Sequence, residues 1–570
     1  MTTKIIKNKI FKLISFYFIL FLFFSGILPV QFGFNTPCFG VCNQINTEFV
    51  FTFNIIFGLI VLFLILFTNF LLKQKNSESE LSHFSIALII LIIGIISGFF
   101  LWDMELDDKW ILYRISKNIF QNFIPTWNDG DLINVSTPLI WPYLSLYAHF
   151  FDDWKNAIKF AGIFFFALHI FLIMKAKLID NLQKKILLLG TGLYLPYIFW
   201  SFSGLETSLA TFWLFYTIVL FHKFGLNSSL AWFSYSAMIL IRPESAVGLF
   251  VSLLILFCLN KKIDFRLIII SSIPILFWIL YNLFLFGDLL PISAQIKSFF
   301  GSVISRPNNS FLVIGNASIH FISSILINIP ITIAAIYTFF YIKKIFGNKI
   351  ISDDFKKYVV LLSGIMSIII YHLITGYIHM SYMFRYFSPF IIALFTINCF
   401  YNKDFIGFLK NSCNINVNKI ITIILTLQIS ILVLSISHLK NQELSLTIAP
   451  LRDGFALNSY NLHMKAWMST SDKFNKIINK NESIFSFNGN WIIGVARSGL
   501  YSIDGLFAPH RYSKFQNIKD CKTEKCLYNN FTYLVLQTYQ ENLKDKIINE
   551  GKYKVILEEN SLIILKKITS

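Results

Sequence analysis

About thirteen runs of roughly 17–25 mostly apolar residues follow one another from near the N-terminus to about residue 438, and they leave this chain few ways to fold. They lie at approximately 10–30, 49–72, 84–102, 157–176, 186–203, 206–223, 228–242, 245–259, 267–286, 319–342, 358–378, 383–401 and 420–438. A helix of that length spans the hydrocarbon of a bilayer and satisfies its own backbone groups where water cannot. Composition agrees, with 55% of the 570 residues hydrophobic and only 14% charged; soluble domains carry nearer ~25% charged residues. The formal charge of +18 does not point to nucleic acid, because the lysines sit in short clusters between apolar runs. The first run is longer than the apolar part of a secretion signal, and no small-residue cleavage site follows it. It reads as an uncleaved first span.

The basic clusters orient the chain. Lys4, Lys7, Lys9 and Lys12 precede the first run, Lys73 and Lys75 follow the second, and Lys175, Lys177, Lys184 and Lys185 follow the fourth. Lys261, Lys262 and Arg266 follow the eighth, and Lys343, Lys344, Lys349, Lys356 and Lys357 lie between the tenth and eleventh. All fall on one side if the N-terminus is cytoplasmic, as the excess of basic residues in cytoplasmic loops requires. The opposite side then holds the loop 103–156, the loop 287–318 and everything after about residue 439. In that oxidising space Cys38 with Cys42, and Cys521 with Cys526, are candidates for two small disulfides. Zinc competes for these pairs, but no further ligand completes either set.

Beyond about Asn441 charge rises and the apolar runs shorten to strand length. Strands are expected at 484–489, 500–504, 533–538, 553–557 and 561–567, helices at 464–480 and 539–550, and a hairpin turn at Glu558-Glu559-Asn560. The expected architecture is therefore an α-helical multi-pass membrane protein with a small outer α/β domain over 440–570, long enough to fold alone.

Chemistry is expected first in the stretch 101–141, where Asp103, Glu105, Asp107, Asp108 and Asp129 gather in one outer loop of a basic chain. Asp107 and Asp108 open the segment DDKWILYRISKNIF, whose Trp110, Ile111, Ile115 and Phe120 suggest an amphipathic helix on the membrane surface. One aspartate capping this helix is the plain alternative. Asn128-Asp129-Gly130-Asp131 reads foremost as a turn, and Leu139–His149 as a second interfacial helix. Gly494–Gly499 has glycines at phosphate-loop spacing but lacks the following Lys-Ser/Thr, so it is not a phosphate loop. Glu206, Arg242, Glu244, Asp288, Lys297 and Arg385 all fall at outer ends of spans, on the face of the Asp-Asp loop. Charges there are costly unless they face a cavity or one another.

Several short motifs, in order, carry a resemblance. They are DDKWILYR (107–114), NDGDLINVSTPLIW (128–141), SGLET (203–207), IRPE (241–244), FGDLLPISAQIK (286–297), RYFSP (385–389) and NWIIGVARSGLYSIDGL (490–506). Together they resemble the GT-C superfamily of membrane glycosyltransferases, and within it the bacterial branch that includes the mycobacterial arabinofuranosyltransferase of cell-wall arabinan. The pattern departs at Lys109, Val135 and Ile292-Ser293, which bears on the donor or acceptor rather than the class. The resemblance makes 1–83 two additional helices and 84–439 a catalytic core, with the site facing the periplasm of a bacterial inner membrane. It implies transfer of a sugar from a polyprenyl-phosphate donor to a cell-envelope glycan, glycolipid or protein acceptor, with inversion. In that scheme Asp107 or Asp108 is the base, and Arg242, Lys297 and Arg385 hold the donor phosphate. Tyr113, Arg114, Asn128, Thr137, Trp141, Glu206, Glu244, Asp288, Asp504 and His510 contact substrate. No cofactor is demanded, although a divalent cation is compatible with the resemblance. An oligosaccharide ligase or polymerase and a lipid-linked-sugar transporter are the rivals. A transporter should show inverted repeats, and none is visible.

Overall fold

The computed structural model describes residues 80–102, 107–128, 134–151, 153–176, 180–260, 264–291, 318, 321–322, 324–345, 352–375, 384–412, 424–432, 436, 466–478, 482–486, 500–502, 531–560 and 562–568. The first two expected spans, Asp103, Glu105, Asp129, Asp131, Lys297, Asp504, His510 and the four candidate disulfide cysteines lie outside the described residues, as does the side chain of Asp107.

The helices that frame the site are α1 (Glu80–Phe100), α2 (Asp107–Asn122), α3 (Thr207–Phe224), α4 (Ser245–Asn260), α5 (Phe265–Phe286), α6 (Asp353–Thr375) and α7 (Ser388–Tyr401). Most begin and end within a few residues of the expected runs. Among the described residues two helices, Phe265–Phe286 and Asp353–Ile374, are long and apolar enough by length and hydropathy to cross a membrane. Shorter apolar helices stand beside them, and two expected spans are broken. The run 186–203 splits into Asn181–Gly192 and Leu195–Ser201, because Pro196 has no N–H to bond the Gly192 carbonyl and its ring crowds that group, and the extended Tyr194 caps the second helix. The run 228–242 ends its α-helix at Ala237 and tightens to a 3-10 turn, Met238–Leu240. Large apolar side chains such as Phe164, Phe250, Phe284 and Phe339 stand exposed around the bundle, a surface suited to lipid rather than to water.

Inside the bundle, α4 runs along α6 and α3 along α7. The first pair meets at glycines. A Cβ on Gly248 would stand 2.8 Å from the carbonyl oxygen of Gly364, and one on Gly364 the same 2.8 Å from that of Gly248. Small residues at a crossing let two backbones approach, which is how helices associate where lipid supplies no hydrophobic drive.

The C-terminal region forms a five-stranded sheet in the order β2-β1-β3-β5-β4: β1 Ile484–Ser486, β2 Leu500–Ser502, β3 Tyr533–Gln537, β4 Tyr553–Glu559 and β5 Leu562–Lys567. β1 is parallel to both β2 and β3, while β5 is antiparallel to β3 and β4. Alternation along the strands divides the side chains between two faces. Phe485, Leu534, Leu536, Ile563 and Leu565 pack on Ile547 of α8 (Glu541–Asn549). Ile484, Tyr533, Val535, Leu562 and Ile564 pack on Phe474 and Ile478, and also on Ile111, Ile115 and Ile119 of α2.

That contact corrects the expectation for α2. Its apolar stripe does not lie on lipid: Trp110, Ile111 and Ile115 are buried in protein, and of the four residues that suggested a membrane-surface helix only Phe120 is exposed. The stripe seats the sheet instead. The second interfacial helix is also interrupted. Ile140–Leu144 gives way at Ser145, whose hydroxyl donates to Trp141 O, to a 3-10 turn over Leu146–Phe150.

Gly364→Ala should cost about 1–3 kcal/mol by forcing α4 and α6 apart, read as a lowered melting temperature in detergent. Gly407→Ala, inside the helix Lys403–Ser412 and with no atom within 4 Å of the added Cβ, should not lower it and should raise stability by about 0.5–1 kcal/mol. Equal behaviour of the two variants would contradict the close helix crossing.

Candidate active site

Three turns at one end of the bundle carry the charged side chains, and each turn has a local cause. Gly204 takes φ +81, a left-handed conformation natural to glycine, and so delivers Glu206 to the start of α3. Arg242 and Glu244 stand between the 3-10 turn 238–240 and α4, where Pro243 interrupts the helical path. Phe384, a non-glycine at φ +57, precedes Arg385 just before α7. That conformation costs on the order of 1–2 kcal/mol and persists only when its surroundings enforce it.

These turns and the first turn of α2 bring five charged groups into one line. Asp108 pairs with Arg385 Nη1. Arg385 Nη2 donates to Glu206 Oε1 at 3.1 Å and Oε2 at 3.3 Å. Glu206 Oε1 also stands 3.0 Å from Arg242 Nη2, which donates to Thr207 Oγ1 at 3.1 Å. Arg242 Nη1 reaches Glu244 Oε1 at 3.3 Å, and His372 Nε2 lies 3.6 Å from the same oxygen. The Tyr386 ring covers both guanidiniums, at 5.4 Å from Arg242 and 5.8 Å from Arg385, and Trp200 covers Arg385 at 5.6 Å.

Asp108 is the most open member of the line at 23% side-chain exposure; Glu206 is at 2%. Buried charges persist only when paired and hydrogen-bonded, and the pairing outweighs burial here. Burial alone would raise the Glu244 carboxyl, but His372 and Arg242 hold it well below the carboxylate range, at about 2. Burial would lower Arg385, yet Glu206 and Asp108 raise it well above its ordinary value. Three carboxylates face two guanidiniums, leaving one formal negative charge that a protonated His372 would neutralise. The Nε–H groups of Arg242 and Arg385 are buried with no hydrogen-bond partner among the described residues.

The loop after α2 braces this line. Arg114 Nε donates to Trp127 O at 3.1 Å, and Asn118 Nδ2 donates to Thr126 O at 2.7 Å, fixing the turn against the helix. Trp141 Nε1 donates to Gly204 O at 3.0 Å, and Leu139 N to Leu240 O at 3.0 Å. The loop is thereby stitched to both the Glu206 and the Arg242 turns. Asn134 Nδ2 donates to Asn282 Oδ1 of α5 at 2.6 Å.

Of the residues singled out from sequence, Asp108, Glu206, Arg242, Glu244 and Arg385 stand together. Arg114 and Trp141 hold main-chain carbonyls of the surrounding turns. Tyr113 is buried beside the His149 ring, 4.7 Å between centroids, and desolvation pushes its hydroxyl up to about 12. Asn128 is buried and Thr137 half-buried in the bracing loop, while Asp288 is half-buried just past α5. Sequence reasoning missed Thr207, Trp200 and Tyr386. It also gave no warning that Lys109 and Lys159 are fully buried, their stems flanking Gly204. Thr207 and Tyr386 lie inside two of the quoted motifs, SGLET and RYFSP, which was the signal for them; Trp200 carried none. Among the described residues no group of three or more His, Cys, Asp or Glu is placed to hold a metal ion.

No protein-family profile matches the chain, and no curated protein matches it. Two solved structures overlay on most of its length. ArnT from Cupriavidus metallidurans bound to undecaprenyl phosphate shares 11% identity over 85% of this chain and 98% of that one, with a TM-score of 0.46. The same protein in the apo state shares 10% over 84% and 97%, with a TM-score of 0.48. At such scores the likeness carries no weight for fold or function.

Glu206→Gln removes the charge that both arginines share and should destabilise the protein by about 3–5 kcal/mol, the range for breaking a buried ion pair; a melting temperature unchanged from wild type would contradict the bridge. A second expectation concerns His149, whose Nε2 lies 3.0 Å from Ser116 Oγ. Burial, then the charge of Lys117, lowers its pKa from 6.5 to about 4. The fold favours the neutral ring, so this stability is present above about pH 6.5 and is lost as pH falls toward 4. His149→Gln should flatten the fall in melting temperature over that window.

Proposed function

We propose that this chain is a glycosyltransferase of the GT-C type, moving a sugar from a polyprenyl-phosphate-linked donor to an envelope glycan, glycolipid or protein acceptor. The observation that carries the reading is the line Asp108–Arg385–Glu206–Arg242–Glu244, whose members come from four of the ordered motifs quoted above. The distribution of basic loops supports a place for this end of the bundle on the outer, periplasmic face of an inner membrane. Nucleotide sugars are not supplied there, which favours a lipid-linked donor. The narrower branch and the identity of the sugar rest on motif order alone.

In the proposed reaction an acceptor hydroxyl attacks the anomeric carbon. Its proton passes to a carboxylate, the bond from anomeric carbon to phosphate oxygen breaks, and the lipid phosphate leaves with the electron pair. One base and one displacement give inversion. Asp108 is committed to Arg385, and a carboxylate so paired is a poorer base. Asp107, the first residue of the same helix, is therefore assigned as the base, with Asp108 setting the Arg385 guanidinium. Because Arg242 and Arg385 are already neutralised by carboxylates, their role toward the phosphate is directional: the two buried Nε–H groups are donors that a bound oxygen would satisfy. Lys297 remains proposed to hold the donor phosphate, Asp504 and His510 to contact substrate, and each of the pairs Cys38–Cys42 and Cys521–Cys526 to form a disulfide.

Asp107→Asn should lower the transfer rate by about 10²–10⁴-fold, the usual contribution of a general base, with unchanged abundance in the membrane. Asp108→Asn should act more weakly and chiefly on substrate affinity. Mass spectrometry of surface glycans from cells carrying each variant reads this out. Full glycan modification with Asp107→Asn would rule out the base, and no glycan altered by loss of the whole protein would sink the enzyme reading.

A further inference from the structure

Helix α2 carries the two aspartates at its first turn and the C-terminal sheet along its flank. Ile111, Ile115 and Ile119 recur once per turn and are buried against Ile484, Tyr533, Val535, Leu562 and Ile564 of β1, β3 and β5. The opposite face of the same sheet is covered by α8 through Leu534, Leu536, Ile563 and Leu565. With the helix at 466–477, α2 thus forms the inner helical cover of the outer domain, although it belongs in sequence to the membrane core. Its remaining apolar side chains anchor it elsewhere: Leu112 in the bundle core, and Trp110 and Tyr113 against Ala148, Ala157 and Ile158.

We propose that the inner face of the sheet, Val535 and Ile564 foremost, is a positioning surface for the reaction. It holds α2 at the height and rotation at which Asp108, next in the chain to the proposed base, meets Arg385. The activity arm rests on the transferase reading; the mechanical arm does not. The two faces of one sheet supply a matched comparison, because Val535, Ile564, Leu536 and Ile563 are all 0% exposed. Truncating any of them leaves a void of similar kind, yet only the first pair belongs to the apolar cluster that includes the α2 isoleucines. Misplacing a reacting group by about 1 Å costs on the order of 10²-fold in rate, so a small tilt of α2 should register in turnover before the domain unfolds.

The test uses the full-length protein with Val535→Ala and Ile564→Ala on the inner face, and Leu536→Ala and Ile563→Ala on the outer. Ile564→Val serves as the conservative variant. Turnover and donor KM are measured together with hydrogen exchange of the amides of residues 107–122. The inner pair should lower kcat about tenfold or more, leave donor KM within about twofold and raise exchange in α2. Ile564→Val should recover most of both. The outer pair should lower the melting temperature comparably while moving neither kcat nor α2 exchange. Equal effects from the two faces, or inner variants that leave α2 exchange at the wild-type level, overturn the proposal. If the wild-type protein transfers sugar from no lipid-linked donor, the transferase reading fails alone, and the contrast in α2 exchange still decides whether the sheet holds the helix.

Discussion

A carboxylate with 2% of its side chain exposed, Glu206, lies between two arginines from distant parts of the chain. Stripped of both partners it would be an uncompensated buried charge, which an apolar helix bundle does not tolerate. Its presence therefore dictates where the turn before α4 and the turn before α7 must come. The left-handed Gly204 and the strained Phe384 are the local consequences, each bending the backbone so that a charge arrives at the shared point. Tyr386 and Trp200 close over the guanidiniums and exclude water, which strengthens every interaction beneath them. Asp108 is the one carboxylate of the line that also reaches solvent appreciably. It marks where the buried line meets solvent, one residue along α2 from the proposed base Asp107.

Helix α2 transmits this arrangement outward. Its first turn meets Arg385, its polar side chains hold the carbonyls of the following turn, and its isoleucine stripe is buried under the outer sheet. One helix of 16 residues thus joins the membrane bundle, the charged line and the C-terminal domain. The same isoleucines would bind lipid if the sheet were absent, because a stripe of apolar side chains does not specify what covers it.

That ambiguity marks where the sequence stops being informative. The long apolar runs placed most helix boundaries within a few residues, and short strand-length apolar runs placed all five strands of the C-terminal sheet, since both signals are local. The convergence of Glu206, Arg242, Glu244 and Arg385 on one face was legible too, because each sits at the same end of a run and stranded charges must pair. What the sequence could not show were the contacts between segments. The α2 stripe looked interfacial, Arg114 and Trp141 looked like substrate contacts, and Lys109 looked like a departure from a motif. In the fold the first is covered by a strand surface more than 360 residues away in sequence. Arg114 Nε and Trp141 Nε1 also hold main-chain carbonyls of neighbouring turns, and the Lys109 stem lies beside Gly204; contact of Arg114 and Trp141 with substrate stays a proposal. Pro196 broke a run that hydropathy alone had joined.

The central claim is that this charged line serves transfer from a lipid-linked sugar. It is tested most directly with purified protein in liposomes holding a labelled polyprenyl-phosphate sugar and an envelope glycolipid acceptor. The account predicts that label appears on the acceptor with inverted anomeric configuration, one polyprenyl phosphate being released per sugar moved. Hydrolysis without transfer, retention of configuration, or transfer only from a soluble nucleotide sugar would contradict it.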